Sequence, residues 1–506
     1  MNALSASPTA GRREWIALAV IALPCLLYAM DLTVLNLALP RISEDLRPSS
    51  AELLWIVDTY GFFVAGMLVT MGNLGDRIGR RRLLLIGAAA FGAASLLAAF
   101  SRSAGMLIVA RALLGVAGAT LAPSTLSLIR NIFLDPKQRR VAVGIWLSSY
   151  SVGGALGPVL GGVMLQHFRW GSVFLLAVPV MLLLLVVGPF LLPEFSDPTA
   201  PPLDLRSAFL SLLAVLAVIA GIKLCAQDGL GTLPLIMIGG GLVVAFAFVL
   251  RQRKLEHPLI DLKLFRTPAF SASLAIYLLG TLVAFGSYVF VGQYLQLVLS
   301  LSPLSASLWL LPWSGGFIVG SSLAPQIARR VRPPFVMSGG LLLAALGFAV
   351  LASVPRTGIA GLMVALSLYS LGLAPVFALG TDLIIGAAPP ARAGAAAAIS
   401  ETASELGGAL GIAVLGSIGT ALYRGAMTSA NVPGVSRDVS AAARDTLGGA
   451  TAAAAQLPHL VGVQLLEAAR AAFSHALQVT ALICAVVSTL TAVLAWALLR
   501  RVGTTA

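Results

Sequence analysis

Long runs of apolar residues alternate with short polar segments over almost the whole chain, from residue 15 to residue 499. A run of about 20 apolar residues is long enough to cross a bilayer as an α-helix. The pattern predicts fourteen such helices, several of them long enough to require tilting. They cover residues 15–39, 52–72, 83–100, 104–129, 141–164, 171–193, 207–225, 231–250, 269–299, 304–327, 335–353, 357–385, 393–422 and 475–499.

The composition excludes the alternative of a large soluble protein with a rich core. Of the 506 residues, 58% are hydrophobic and 10% are charged. A soluble globular protein has about 25% charged residues. The sequence therefore predicts an all-α integral membrane protein.

The net charge of +13 follows from where the basic residues lie. Twenty-two of the 33 lysines and arginines fall on the side of the predicted helices that includes both termini, 9 fall on the other side and two fall inside spans. Cytoplasmic loops carry such an excess. We therefore expect both termini in the cytoplasm and no nucleic-acid surface.

Two basic turns suggest that the chain contains a repeat. "GNLGDRIGRRRLL" follows the second predicted helix and "PQIARRVRPPFVM" follows the tenth. This spacing predicts an N-terminal six-helix bundle over 1–193, a linker with two inserted helices over 194–268, and a C-terminal six-helix bundle over 269–506. A long outer loop, about 423–474, contains "AAAAQLPHLVGVQLLEAARAAF", which indicates short amphipathic helices at the membrane surface. This loop is either a cap over the external mouth or a passive spacer.

The first basic turn resembles the loop signature of the major facilitator superfamily, G-x-x-x-D-x-x-G-R-[KR]-[KR]. Its positions are Gly72, Asp76, Gly79, Arg80 and Arg81. We expect Asp76 to pair with an arginine across its half of the protein, in a contact that forms in one transporter state and breaks in another. The alternative is a solvated basic loop that serves only to orient the chain.

A second motif lies in the fifth predicted helix, within "VGGALGPVLGG". Gly153, Gly157, Pro158, Gly161 and Gly162 match G-x-x-x-G-P-x-x-G-G, which marks exporters in the same superfamily. Small residues at this spacing allow a neighbouring helix to approach closely, and proline bends a helix. General small-residue packing is the alternative.

Further motifs extend the resemblance along the whole chain. "ARALLGVAGA" contains the R-x-x-x-G pattern, and "MDLTVLNLALP" resembles the D-x-T-V-x-N-x-A-L-P signature of the fourteen-span drug/proton antiporter branch. The resemblance implies the major facilitator fold with 14 transmembrane helices, in a bacterial multidrug efflux pump of the cytoplasmic membrane. We expect it to act as a monomer.

The sequence also indicates the energy source. It contains no Gly-Lys dipeptide, so it has no Walker A loop. Its three cysteines have no metal-binding spacing, and we predict no metal and no cofactor. We therefore expect a proton gradient to drive transport.

Three charged residues are predicted at a similar depth in the N-terminal half. Asp31 lies roughly 13 Å from the outer end of its helix, and Asp58 and Arg111 lie roughly 10 Å from theirs. We expect one arginine and two aspartates to neutralise each other partly, leaving one negative charge or one exchangeable proton. Lys223, nearer a helix end, is expected to extend toward the membrane surface. The alternative for either aspartate is a packing role without titration.

Glu401 and Glu405 lie one helical turn apart near the middle of the thirteenth predicted helix. Two neighbouring carboxylates in a low dielectric resist double ionisation, which suits a proton carrier or an acceptor for a cation. The resemblance implies that Asp31, Asp58, Glu401 and Glu405, with Arg111, act in proton coupling or in recognition of cationic drugs.

Aromatic residues in the C-terminal half are candidates for a wall that contacts flat cations. They are Tyr288, Tyr294, Trp309 and Trp313. For any one of them, packing or contact with lipid is the alternative. The tenth helix lacks the acid that some related pumps have there.

The predicted function is proton-coupled export of lipophilic cations by alternating access, with the bilayer, protons and the cations as partners. A dedicated exporter of one endogenous metabolite or antibiotic is the alternative within transport. A membrane receptor or scaffold is the alternative from another class, although it would not need several acids near the midplane.

Overall fold

The computed structural model describes residues 10–196, 204–256, 258–389, 393–430, 433 and 435–500. Within these ranges all regular elements are helical, which confirms the predicted all-α class. Thirteen helical segments are long and apolar enough to cross a membrane. The remaining predicted span is described below.

The N-terminal half contains all six predicted spans. Its helices are α1 (Arg12–Leu46), α2 (Ser50–Ile78), α3 (Arg80–Ala99), α4 (Ala104–Gly118), α5 (Leu121–Ile132), α6 (Pro136–His167), α7 (Ser172–Leu175) and α8 (Ala177–Leu191). The fourth span is interrupted between α4 and α5, and the sixth between α7 and α8. The two inserted helices are α9 (Leu205–Asp228) and α10 (Thr232–Lys254).

The C-terminal half follows a short 3₁₀ turn at Leu264–Arg266. Its helices are α11 (Pro268–Gln293), which continues as a π turn at Tyr294–Val298, α12 (Pro303–Trp309), α13 (Leu311–Ala328), α14 (Pro333–Ala352), α15 (Val354–Gly386), α16 (Ala393–Ser429), α17 (Arg437–Asp445), α18 (Leu447–Ala454) and α19 (His459–Leu499). The tenth predicted span is divided into α12 and α13, and it accounts for the difference between thirteen and fourteen.

Several helices begin at side-chain caps, which satisfy backbone N–H groups that have no partner within the helix. At the start of α2, Ser49 Oγ accepts a hydrogen bond from the Glu52 N–H, while the Glu52 carboxylate accepts one from the Ser49 N–H at 2.9 Å. Ser103 Oγ and Ser302 Oγ each accept a hydrogen bond from a backbone N–H, at the start of α4 and of α12.

The two halves pack their first helices in corresponding ways. α1 packs along α6, and α11 packs along α16. Glycines permit both approaches: Gly157 of α6 lies against Met30 and Thr33, and Gly407 of α16 lies against Leu278. Across the halves, α2 contacts α16 and α6 contacts α12. The inserted helix α9 contacts α2 and α16 as well as α10.

The prediction of short amphipathic helices across the end of the long loop was wrong. From His459 a single helix, α19, continues through the loop to Leu499. After Pro458 the sequence contains neither a proline nor a turn signal that would end it, and its buried face extends from Leu465 to Phe473. Arg470 Nε anchors this part by donating to the Leu297 carbonyl oxygen at 2.9 Å.

Candidate functional site

The first element of the site is a buried ion pair between α1 and α4. Arg111 Nη1 lies 2.5 Å from Asp31 Oδ2. The Arg111 side chain is 1% exposed, and its Nε donates to the Ile56 carbonyl oxygen of α2 at 3.1 Å. Its guanidinium carbon also lies 4.6 Å from the centre of the Tyr60 ring. The expected contact between Asp31 and Arg111 is present, and the arginine joins three helices.

The expected sharing of Arg111 by two aspartates was wrong. Asp58 pairs instead with Lys223 of α9, whose Nζ lies 2.9 Å from Asp58 Oδ1. Both side chains are at most 1% exposed, so Lys223 does not extend to the membrane surface. Its Nζ also lies 3.7 Å from the centre of the Trp55 ring. Lys223 lies farther from the helix end than expected because α9 continues to Asp228, beyond the predicted span. The side of α9 that faces α2 is set by tertiary packing.

Glu401 and Glu405 lie one turn apart on α16 and are half-buried. Within the described parts of the chain, neither glutamate forms an ion pair with lysine or arginine. The Tyr28 hydroxyl interacts with the Glu405 carboxyl across the boundary between the halves. Glu401 is in electrostatic range of Tyr150 on the N-terminal side and of Tyr277 on its own side.

A row of aromatic rings in the N-terminal half includes three tyrosines that lie near these glutamates. Trp146 and Tyr150 have ring centroids 5.0 Å apart, Tyr150 and Tyr28 are 5.9 Å apart, and Tyr28 and Tyr60 are 5.8 Å apart. We call these four residues the aromatic row. Sequence reasoning missed them, although Tyr28 precedes Asp31 by one helical turn and Tyr60 lies two residues after Asp58.

Two of the four predicted aromatic residues belong to a second series of rings. It runs through Tyr288, Trp313, Phe317, Phe377 and Tyr277, with centroid distances from 5.0 to 5.9 Å. Tyr277, at the end of this series, interacts electrostatically with Glu401. Trp309 and Tyr294 lie outside this series of rings, although all four residues belong to the apolar core or pack against it.

The basic turn between α2 and α3 is organised by two acids. Asp76 accepts a hydrogen bond from Arg80 Nη2 at 2.5 Å, within the turn itself. In this state Asp76 therefore pairs within the turn, and another acid lies at the position across the half. Glu194, after α8, takes that position: its carboxylate accepts from the backbone N–H groups of Arg81 and Arg82 at 3.0 and 3.1 Å, at the start of α3. Acids at a helix N-terminus are favoured.

The backbone conformation at Gly79 and its contact with Glu194 explain why this turn needs glycine there. Gly79 has a φ of +106°, and a Cβ there would overlap the Glu194 carboxylate. We expect Gly79→Ala to lower stability by about 1–3 kcal/mol, because a residue with a Cβ is strained at this φ and the Glu194 carboxylate would have to move away from its two N–H donors. Gly72→Ala is the matched control, since its Cβ would lie 3.8 Å from Pro123 Cβ, an ordinary contact. Thermal unfolding of the two variants in detergent measures the difference, and equal melting temperatures would contradict the prediction.

The glycine motif of α6 lies at two helix contacts. A Cβ at Gly153 would overlap the Leu26 carbonyl oxygen of α1, and one at Gly161 would lie 2.8 Å from Val34 Cγ1. Gly162 faces the other half, where a Cβ would lie 2.7 Å from Ser307 Oγ of α12. Pro158 lies inside α6. The motif therefore serves both the packing within the N-terminal half and the contact between halves.

The halves are joined at the end of the molecule opposite the basic turns. Gln296 Nε2 donates to the Leu37 carbonyl oxygen at 3.1 Å, and Ser50 Oγ donates to the Asp445 carbonyl oxygen at 2.7 Å. Arg424 holds the Asp445 carboxylate at 3.1 Å, although burial raises the pKa of Asp445. In this way α17 and α18 connect the two halves. This agrees with the first of the two alternatives for the long loop, a cap over the external mouth.

A second acid at this end stabilises the N-terminal half alone. Asp45 accepts hydrogen bonds from Arg169 and Trp170 at 2.8 and 2.6 Å. These two donors hold the pKa of Asp45 below its usual value. The carboxylate therefore remains ionised at neutral pH and ties the end of α1 to the segment after α6.

Comparison with known proteins places this chain among membrane transporters. The Major Facilitator Superfamily model matches residues 21–412. The chain is 46% identical to the multidrug efflux pump LfrA of Mycolicibacterium smegmatis, over 94% of each chain. It is 36% identical to the methyl viologen resistance protein SmvA of Salmonella typhimurium, over 91% of this chain and 93% of the relative.

Two further similarities come from an antibiotic exporter and a solved structure. The chain is 34% identical to the tetracenomycin C resistance and export protein of Streptomyces glaucescens, over 91% of this chain and 87% of the relative. The crystal structure of a bacterial homologue of the human lysosomal transporter Spinster superposes with a TM-score of 0.67 at 16% identity, over 98% and 99% of the two chains. At 16% identity, the match to this solved structure supports the fold alone. The chain belongs to the major facilitator superfamily, and it is a membrane transporter rather than an enzyme.

Proposed function

We propose that this protein is a proton-coupled antiporter that exports lipophilic cations, such as quaternary ammonium compounds and ethidium-like dyes. The observation that carries the proposal is the pair Glu401 and Glu405, half-buried at the boundary between the halves and near three tyrosines of the aromatic row. An aromatic face attracts a cation, and a carboxylate supplies the opposite charge. Relatives named as multidrug efflux pumps and drug resistance proteins support this substrate class.

The charges of the N-terminal half support the assignment by elimination. Arg111 neutralises Asp31, and Lys223 neutralises Asp58. In the described spans, this leaves the two glutamates as the acids at the boundary without a cationic partner. A site that holds either a proton or a cationic substrate needs such uncompensated carboxylates, because a fixed counter-ion would compete with both.

The proposed cycle is alternating access. We infer that the state described here, in which the halves are joined at the end opposite the basic turns, is the one that binds substrate from the basic end. A lipophilic cation enters there as a glutamate loses its proton. Closure of the basic end and opening of the other end then allow a proton to return to the carboxylate and release the cation.

We propose that the basic end faces the cytoplasm of a bacterium, with both termini inside and the cytoplasmic membrane as the location. Loops with many lysines and arginines remain on the cytoplasmic side. The first and last helices, α1 and α19, both have their chain-terminal ends at the basic end, as an even number of spans requires. We further propose that the monomer transports, with no cofactor besides the proton gradient.

The test is ethidium export in everted membrane vesicles energised by a pH gradient. Vesicles that contain the protein should accumulate the dye, and a protonophore should abolish the accumulation. Vesicles from cells without the protein are the control. Accumulation that continues undiminished after the pH gradient has been collapsed would show that proton coupling is wrong.

A dedicated exporter of a single antibiotic is the second candidate, because one relative at 34% identity is named for export of tetracenomycin C. Export of several chemically unrelated cations by the same vesicles would favour the broad pump. Export of only one compound in such a set would favour the dedicated exporter.

A further inference from the structure

The inserted helix α9 contributes a charged residue to the interior of the transporter. Lys223 is 2% exposed, and its ammonium group contacts only Asp58 and the face of Trp55 among the polar and aromatic groups described above. A buried lysine is costly unless it is paired. Lys223 therefore neutralises Asp58 rather than anchoring the helix at the membrane surface.

The same helix contacts both helices that carry the acids of the site. Ile219, one turn before Lys223, packs in a cluster with Phe62 of α2 and Ala409 of α16. Ala409 in turn lies one turn after Glu405 on α16. The inserted helix is thus in direct contact with the surroundings of the two glutamates.

Asp58 is also close to Glu405. A Cβ on Gly61, three residues after Asp58 on α2, would lie 4.0 Å from the Glu405 carbonyl oxygen of α16. Charges interact over long distances in the low dielectric of a protein interior within a membrane. A change in the net charge at Asp58 therefore changes the potential felt by a cation at the glutamates.

We propose that Lys223 is a specificity-determining residue, an internal counter-cation that keeps Asp58 out of substrate and proton binding and so sets the charge of the cations that the pump prefers. The inference rests on the proposed function, since it concerns the same cation site. With Lys223 present, two carboxylates are uncompensated at the boundary between the halves. Without Lys223, Asp58 becomes a third uncompensated carboxylate, which can bind either a proton or the second charge of a dication.

Lys223→Met tests this proposal, because methionine is apolar and of similar length. In one preparation of everted vesicles, at mildly alkaline pH where few protons compete, the export of methyl viologen, a dication, is measured against that of ethidium, a monocation. A potential acts twice as strongly on a double charge. We expect the dication-to-monocation ratio of Lys223→Met to rise on the order of tenfold.

Two control variants separate charge from packing. Lys223→Arg keeps the positive charge and should keep the wild-type ratio. The double variant Asp58→Asn/Lys223→Met removes both charges and should return the ratio to the wild-type value. Because each ratio is measured within one preparation, a lower amount of protein in the membrane does not change it.

The outcomes distinguish this inference from the proposed function. If the single and double variants have the same ratio, the pair has only a structural role and the inference is wrong. If the wild-type protein exports neither cation, the proposed function is wrong as well. If Lys223→Met does not reach the membrane, Lys223→Gln is measured against the same double variant, and equal ratios again overturn the inference.

Discussion

Replacing Glu401 and Glu405 together by glutamine is expected to reduce cation export driven by a pH gradient on the order of a hundredfold, while the protein remains folded. Loss of a charge that contacts a buried ion costs about 2–5 kcal/mol of binding energy, which corresponds to this decrease. Glutamine has nearly the same shape as glutamate. In addition, the structure describes no ion pair for either residue, so the substitution leaves no buried cation without a partner.

The measurement is the initial rate of ethidium uptake into everted vesicles, normalised to the amount of transporter. Asp382→Asn is the matched control, because Asp382 is an exposed acid near the basic end of α15. It should transport at nearly the wild-type rate. Export by the double glutamine variant at the wild-type rate would remove both glutamates from the mechanism.

Removing the positive charge of Arg111 is expected to have the largest effect on stability. Arg111→Met leaves Asp31 without its partner and removes the hydrogen bond to the Ile56 carbonyl oxygen. Breaking a buried ion pair from one side costs about 3–5 kcal/mol. Asp31→Asn should cost less, because the Asp31 side chain is 14% exposed and asparagine can still accept a hydrogen bond from the arginine.

Thermal unfolding in detergent and the amount of protein in the membrane measure this effect. Arg102→Met is the control, since Arg102 is exposed in the loop between α3 and α4. In a double-mutant cycle, Asp31→Asn/Arg111→Met should be less destabilised than the sum of the two single variants. Strict additivity, or an Arg111→Met melting temperature equal to that of Arg102→Met, would contradict a stabilising role for the pair.

Much of the fold follows from the length and spacing of apolar runs. All fourteen predicted spans correspond to helices of the structure, because a segment in a bilayer must satisfy its own backbone hydrogen bonds and a helix does this locally. The helix ends were less accurate. α19 begins sixteen residues before the predicted span because a helix can continue beyond the membrane wherever the protein covers one face.

The site was predicted in part. The depth of Asp31 and Arg111 follows from counting residues along two helices, and their contact is present in the structure. The predicted partner of Asp58 was wrong, because the predicted span ended at residue 225 whereas α9 continues to Asp228, which places Lys223 farther from the helix end than expected. Glu194 was also missed, although an acid directly after the sixth span, on the same predicted side of the membrane as the basic turn, could have indicated it.

The sequence by itself determined the membrane environment, the number and order of spans, the family and the residues that carry charge inside the bilayer. These properties depend on composition and on distances along the chain. Only the tertiary structure decided that α9 places Lys223 against Asp58, that Tyr28, Tyr60 and Tyr150 lie near Glu401 and Glu405, and which acids have a cationic partner. The physical reason is that rotation of a helix about its axis is set by packing against its neighbours, and that rotation determines which side chains meet.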